Sequence, residues 1–203
     1  NEKMGYSDNY EYEVAKGYVV NKGFLTPYMA THRDKNGFYA SIDDAHILVT
    51  DRKIADFEEI KEIYAKLIKE QIRYLVIIGS DAPLDGTNVL PAIHANSFTT
   101  NPEKGALHTV FVTIPFDKGK REDILQDIAT LTGAKYIDTQ LGMSLKSVEI
   151  ADLGRARNVR ADKDKTEILY DLNKPTKELI ASLKKDHKEA EKGYYRDKVG
   201  DRL

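Results

Sequence analysis

The residue types that most often do chemistry in enzymes occur in this chain, but they are not arranged for it. Five histidines are scattered along 203 residues, and no two stand at a spacing typical of metal ligands. Cysteine is absent, which removes disulfides, thiolate metal ligands and cysteine nucleophiles. Ser80 follows Gly79 but lacks the second glycine of a nucleophile elbow. The sequence therefore predicts no catalytic residues and no metal site.

The sequence signals for binding phosphate, calcium, nucleic acid or a membrane are equally weak. Gly119-Lys120-Arg121 precedes a predicted helix without the spacing of a P-loop, and Asp162-Lys163-Asp164 starts like a calcium loop but lacks its glycine and distal glutamate. The formal net charge is -2 and basic residues alternate with acids, so we expect no nucleic-acid partner. No apolar run approaches the ~18 residues that span a bilayer, so we expect no membrane partner. The absence of cysteine is compatible with a reducing cytoplasm, where we expect the protein.

The most informative segment is an apolar, aromatic run around a proline, from Gly23 to Met29. Pro27 fixes its own φ and disfavours helix at Thr26, which predicts an extended or turning backbone. Neither helical nor strand periodicity can bury Phe24, Tyr28 and Met29 on one face. We therefore expect some of these side chains on the surface, where apolar groups often mark a binding site. The alternative is that they are ordinary core residues.

Periodicity predicts an α/β core. Residues 45–50 and 74–79 are short β-branched runs typical of strands, and the second is continuously apolar, as in a strand covered on both faces. Between them, residues 56–70 show helical spacing of apolar side chains and a capping box formed by Asp56 and Glu59. This order predicts a crossover unit with parallel strands.

Five further elements follow from local signals. A short helix at 89–98 is capped by Asn88, with Pro91 in its first turn, where proline costs little. A helix at 121–131 ends at Gly133. The others are a strand at 107–114, a hairpin of 155–160 with 166–170, and a charged helix at 175–192.

Several motifs follow one another along the chain. Residues 127–133 read Asp-Ile-Ala-Thr-Leu-Thr-Gly, and Leu141-Gly142-Met143, then 152–156 (Asp-Leu-Gly-Arg-Ala), then 162–166 (Asp-Lys-Asp-Lys-Thr) come after them. With the run from Gly23 to Met29, this order resembles the apical domain of GroEL-type (group I) chaperonins. The resemblance runs from about residue 14 to the C-terminus and is weakest at 81–107. It implies an α/β, apical-domain-like fold (swivelling β/β/α) with flanking helices over 14–203, after a poorly anchored segment at 1–13.

In that family, the proline segment and two roughly parallel helices line an apolar groove for unfolded protein. The resemblance implies a hinge at Gly17, where the family carries a glycine between its apical and intermediate domains. Two residues depart from the family pattern, Lys61 and Pro91. By position, the substrate-binding residues implied here are Phe24, Tyr28, Met29, Lys61, Tyr64, Leu90, Ala92 and Ile93.

The resemblance implies a chaperone domain that binds unfolded or misfolded polypeptide and catalyses nothing itself. We expect it to be a fragment of a longer chain that forms a homo-oligomeric, ATP-hydrolysing ring. In the family, ATP and Mg²⁺ bind a separate equatorial domain, so we expect no cofactor in this chain. A GroES-type co-chaperonin is an implied partner, and the divergence suits a viral chaperonin. The alternative is a structural or interaction domain that kept the fold and lost client binding.

Overall fold

A computed structural model describes residues 15–80, 82, 86–114 and 118–171. The predicted segment at 1–13 and the predicted helix at 175–192 lie outside the described residues. Within them are eight strands and three α-helices. The strands are β1 (Ala15–Val20), β2 (His32–Asp34), β3 (Gly37–Thr50), β4 (Tyr74–Gly79), β5 (His108–Thr113), β6 (Tyr136–Ile137), β7 (Gly154–Ala161) and β8 (Thr166–Asp171); the helices are α1 (Lys61–Lys69), α2 (Val89–Asn96) and α3 (Lys118–Thr132).

The strands form one mixed sheet in the order β1-β8-β7-β3-β4-β5. β3, β4 and β5 are parallel neighbours, and β6 also pairs with β3 in parallel. The pairs β1–β8, β8–β7 and β7–β3 are antiparallel, as is the short hairpin of β2 with β3. The predicted α/β core with a crossover between parallel strands is therefore confirmed, and so is the hairpin of β7 with β8.

The helices cover both faces of the parallel strands. α1 joins β3 to β4 and α2 joins β4 to β5, so two right-handed crossovers in the same direction place them on one face. α3 returns from β5 to β6, which places it on the opposite face, and it contacts β3, β7 and β8. Every residue of β5, and all of β4 except Tyr74, is buried, as expected for strands covered on both sides.

β3 is longer than predicted because it passes through Asp43 and Asp44 rather than beginning after them. Asp44 adopts φ +52°, a left-handed conformation that aspartate tolerates better than most residues. Ala40 and Ile42 are buried before this point, and Ala45 and Ile47 after it, so the alternation of buried positions changes phase there. The adjacent acids therefore lie within one long strand, at the point where the alternation of its buried side chains changes phase.

The three predicted helices that lie within the described residues, at 56–70, 89–98 and 121–131, are confirmed with altered ends. The helical segment at 56–70 is a 3-10 turn, Phe57–Glu59, followed by α1. Asp56 caps that turn by accepting a hydrogen bond from Glu58 N at 3.0 Å. Glu59 pairs with Arg52 at 2.7 Å, so the predicted capping box is wrong. α3 ends at Thr132, and Gly133 takes φ +79° after it, as the glycine predicted.

Candidate functional site

The segment from Gly23 to Met29 lies along the free edge of β5. Phe24 N donates to Asp162 O at 3.0 Å, and Leu25 N donates to Phe111 O at 3.1 Å. Gly23 permits this approach, because a Cβ at that position would lie 1.7 Å from Asp162 O. The segment thus adds a short extended stretch to the outer edge of the sheet.

A 3-10 turn, Pro27–Met29, follows this extended stretch. The Thr26 side chain accepts a hydrogen bond from Tyr28 N at 3.3 Å, and Pro27 occupies the first position of the turn, where no N–H is needed. The turning backbone predicted around Pro27 is confirmed. Its side chains diverge: Met29 points to the sheet edge and Tyr28 points to solvent.

Met29 satisfies polar groups at the edge of β5. Its Sδ accepts a hydrogen bond from Phe111 N at 3.3 Å, and its carbonyl oxygen accepts one from His108 Nε2 at 2.8 Å. Met29 is fully buried and Phe24 is 6% exposed. Both residues were expected to be accessible as substrate-binding residues, and this expectation is wrong. An uncovered strand edge exposes unpaired N–H and C=O groups, and these residues cover it.

Tyr28 is the member of the segment that stands in solvent, with 66% of its surface exposed. Its ring packs against that of His94 in α2, with centroids 5.2 Å apart and planes inclined by 59°. Burial lowers the pKa of His94, so the uncharged ring is the favoured partner. The structure therefore places a large aromatic side chain against α2 and leaves most of it accessible.

On α1, Lys61 is exposed but Tyr64 is not. Lys61 Nζ lies 3.8 Å from Glu58 Oε2, a solvent-exposed pair. Tyr64 is 2% exposed, its hydroxyl hydrogen-bonds the Thr109 hydroxyl, and its ring meets Phe57 edge-on at 4.9 Å. Burial raises the pKa of Tyr64. Its expected place on a groove is wrong, because position 64 falls within the buried stripe of the helix and not at its edge.

On α2, the inward residues are Val89 and Ile93, one turn apart. Ile93 is 1% exposed, so its expected exposure is also wrong; the i, i+4 pair with Val89 turns it to the core. Leu90 and Ala92 are half-buried and stay candidates for binding. Pro91 is exposed and lies in the first turn, as predicted.

The starts of α1 and α2 are tied together by Asn88. Its Oδ1 accepts a hydrogen bond from Phe57 N at 2.8 Å, and its Nδ2 donates to Asp56 Oδ1 at 3.2 Å. The hydrogen bond from Glu58 N, with that from Asn88, lowers the pKa of Asp56. The side chain predicted to cap α2 therefore bridges two helices instead.

Of the eight expected binding residues, four keep an exposed or half-buried side chain, and we call this set the Tyr28 surface: Tyr28, Lys61, Leu90 and Ala92. Sequence reasoning missed three exposed apolar side chains outside this set: Phe38 at 52%, Ile68 at 37% and Leu141 at 71% exposed. Ile68 follows the buried Leu67 on α1 and lies on the outward side of the helix. A helical-wheel projection of α1 could have predicted its exposure. Leu141 lies in a 3-10 turn for which no periodic signal exists.

Gly17, the expected hinge, lies inside β1 opposite Leu169 of β8. A Cβ there would lie 2.9 Å from Glu167 Oε2, at the end of a flexible side chain. The hinge role stays a prediction, because one conformation does not test it.

A concavity of about 560 Å³ lies between the residues that precede α1 and residues 139–146. Charged side chains of both signs line it, including Arg52, Lys146 and Glu58, and the Arg52–Glu59 ion pair lies across it. Its lining is too polar for an apolar groove. Among the described residues, no group of three or more His, Asp or Glu is placed to hold a metal ion, and no helix is long and apolar enough to cross a membrane.

No protein-family model matches this chain. Among solved structures, it is similar to the chaperonin gp146 from the bacteriophage EL 2 (Pseudomonas aeruginosa), determined in the presence of ATP-BeFx, with a TM-score of 0.63 and 14% sequence identity. The fold is chaperonin-like. The similarity covers 90% of this chain and 36% of that chaperonin, so the chain spans about a third of the length of the phage protein it matches.

Proposed function

We propose that this chain is the apical, client-binding part of a GroEL-type chaperonin and that it holds non-native polypeptide at the Tyr28 surface. The observation that carries this proposal is Tyr28 itself, which a capped turn holds 66% exposed against α2. An exposed aromatic ring on a rigid support is typical of a binding surface. The chaperonin-like fold and the ordered family motifs support the assignment.

A comparison of the free energy of burial with the cost of association indicates that a single copy binds a client weakly. Burying an exposed apolar side chain contributes roughly 1.5–3 kcal/mol, whereas association costs roughly 4–15 kcal/mol of lost freedom. Phe24, Met29, Tyr64 and Ile93 are already buried, so they position the surface and offer a client no new contact. Tyr28 with half-buried Leu90 and Ala92 supplies few anchors. Several copies in a ring would be needed for a firm grip through multivalency.

Lys61 gives the surface an expected preference for acidic clients. Its ammonium group is exposed on α1, where the family carries an apolar side chain, although Glu58 partly offsets the charge. Exposed ion pairs are weak, so an acidic segment can compete with Glu58 for Lys61. The preference should therefore fall with added salt.

The test is a titration of this chain with a reduced, carboxymethylated protein that stays unfolded, followed by fluorescence anisotropy. Tyr28→Ser should weaken binding by at least tenfold, since it removes the main anchor. Phe38→Ser is the matched control, because Phe38 is an aromatic side chain that is 52% exposed on the β2–β3 hairpin. Equal affinities for Tyr28→Ser and the unaltered chain would contradict the proposed surface.

Further properties are proposed from the resemblance. The parent protein would be a homo-oligomeric ring in the cytoplasm that hydrolyses ATP with Mg²⁺ in another domain, and Gly17 would serve as a hinge. A GroES-type co-chaperonin would compete with clients for the Tyr28 surface. A viral origin fits the similarity to a phage chaperonin.

A second candidate function is that of an interaction domain that has lost client binding. The burial of Phe24, Met29, Tyr64 and Ile93 favours it, because half of the expected groove residues are part of the core. This candidate predicts no saturable binding of the unfolded protein by the unaltered chain. The same titration therefore separates the two functions.

A further inference from the structure

Asp127 is a carboxyl group without exposed surface on the inner side of α3. Its Oδ2 accepts a hydrogen bond from the Tyr18 hydroxyl of β1 at 3.3 Å. Its Oδ1 has no hydrogen-bond partner in the part of the chain that the structure describes. A buried carboxylate with one long hydrogen bond is strongly disfavoured, whereas a neutral carboxylic acid in the same place costs much less.

Among the described residues, none of the groups that shift the pKa of Asp127 is a cation. β1 contributes Tyr18, β8 contributes Tyr170, and α3 itself carries Asp123. The buried side chains of β3 and β7, which α3 also contacts, are uncharged, and β6 contributes a half-buried Tyr136. Burial raises the pKa of Asp127 to about 8; the hydrogen bond from Tyr18 opposes this rise and Asp123 adds to it.

Asp127 lies where a change in its charge would affect the packing of α3 against one edge of the sheet. β1 pairs only with β8 among the described strands, so it forms an edge of the sheet. The contacts of α3 with β8 and the Asp127–Tyr18 hydrogen bond hold this edge pair from one side.

We propose that Asp127 is a proton-operated latch: its neutral form holds α3 against β1 and β8, and its ionisation loosens that contact. Within the described part of the chain, the negative charge would have one hydrogen bond and no cation that favours it, so the structure would lower its energy by admitting water between α3 and the edge pair. The parallel strands β3, β4 and β5 have no part in this contact and should stay closed. The inference is independent of the proposed client binding.

The test is amide hydrogen exchange of the 203-residue chain at pH 6.5 and pH 9, with each rate divided by its intrinsic rate at that pH. Protection of the β1 amides should fall at least tenfold at pH 9, while that of the β4 amides changes little. Asp127→Asn, which cannot ionise, should keep β1 protected at both pH values. Glu122→Gln is the matched control, because it removes an exposed acid from the same helix and should behave like the unaltered chain.

Two results would overturn the latch. One is an equal loss of β1 protection in the unaltered chain and in Asp127→Asn; the other is no loss in the unaltered chain. If Asp127→Asn does not fold, NMR titration of the Asp127 carboxyl carbon in the unaltered chain tests the latch instead. A midpoint near 8 supports the latch, and a midpoint near the ordinary aspartate value of 3.8 overturns it.

Discussion

The side-chain amide of Asn88 donates a hydrogen bond to Asp56 Oδ1 at 3.2 Å and accepts one from Phe57 N at 2.8 Å. These bonds connect residues 32 and 31 positions apart in sequence. They join the start of α2 to the turn that precedes α1. Asn88 therefore links the starts of two segments that lie on one face of the sheet.

Asn88→Ala should lower the free energy of unfolding by about 1 kcal/mol, because it removes two hydrogen bonds whose partners are exposed to water. Such a loss lowers the melting temperature of a chain of this size by roughly 2–4 °C, which calorimetry would measure. Asn21→Ala, at an exposed site away from both helices, is the control and should melt like the unaltered chain. Identical melting of the two variants would contradict the bridge.

The Asn88 bridge should also depend on pH. The hydrogen bonds to Asp56 lower its pKa below the ordinary 3.8, so their contribution to stability is present above that value and is lost as pH falls through the folded-state pKa. The difference in melting temperature between Asn88→Ala and the unaltered chain should therefore shrink in acid below pH 3.8. A constant difference down to pH 2.5 would show that Asn88 acts through Phe57 alone.

Gly23→Ala should destabilise the fold by about 3 kcal/mol, since the added Cβ would lie 1.7 Å from Asp162 O and neither backbone can yield easily. The change should also release the turn that carries Tyr28. Urea denaturation measures the first effect, and the accessibility of Tyr28 to fluorescence quenchers reports the second. Lys22→Ala, which removes atoms from an adjacent exposed side chain, is the control. Full stability of Gly23→Ala would mean that the close approach to Asp162 is absent.

The Tyr64–Thr109 contact should be strongly coupled. Tyr64→Phe leaves the Thr109 hydroxyl unpaired in the core, which should cost about 1–3 kcal/mol of unfolding free energy. Thr109→Val should cost a similar amount by leaving the Tyr64 hydroxyl unpaired. The double variant should cost clearly less than the sum of the two, as measured by chemical denaturation. Additive losses would indicate that the hydroxyl groups do not meet.

His108 should make the fold sensitive to acid. Its Nε2 donates to Met29 O at 2.8 Å, and in the neutral ring that burial favours, its Nδ1 accepts a hydrogen bond from Ser97 Oγ at 2.6 Å. Burial lowers the pKa of His108 below 6.5, the hydrogen bond to Met29 O opposes this, and His94 adds to it. The folded state therefore binds fewer protons than the unfolded state below pH 6.5, and the free energy of unfolding falls as pH decreases from there.

The measurement is urea denaturation at pH 7.5, 6.5 and 5.5. The loss of stability on acidification should be smaller in His108→Gln, which cannot take up a proton. His32→Gln is the control, because His32 is exposed and the variant should lose as much stability as the unaltered chain. An unchanged pH dependence in His108→Gln would assign the sensitivity to another group.

Local signals in the sequence were sufficient for the elements and their class. The continuous apolar run of β4, the helical spacing of residues 57–69 and the turn residues between β7 and β8 act over a few residues, so each could be recognised without tertiary structure. Pro91 restricted α2 in the same way, because proline tolerates only the first turn of a helix. Strands β1, β2 and β6 were missed, since short or polar strands are defined by their partners.

Tyr28 and Tyr64 show what the sequence could not decide. Both are tyrosines that the family resemblance placed on one groove, yet one is 66% exposed and the other 2%. Met29 and Phe24 cover the edge of β5 and are buried there, whereas Tyr28 lies on the adjoining turn and faces solvent. The Tyr64 hydroxyl hydrogen-bonds the buried Thr109 hydroxyl, 45 positions away in sequence, and Tyr64 is therefore satisfied within the core. Periodicity determines which residues share a face, but only the neighbouring strands and helices determine which faces are covered.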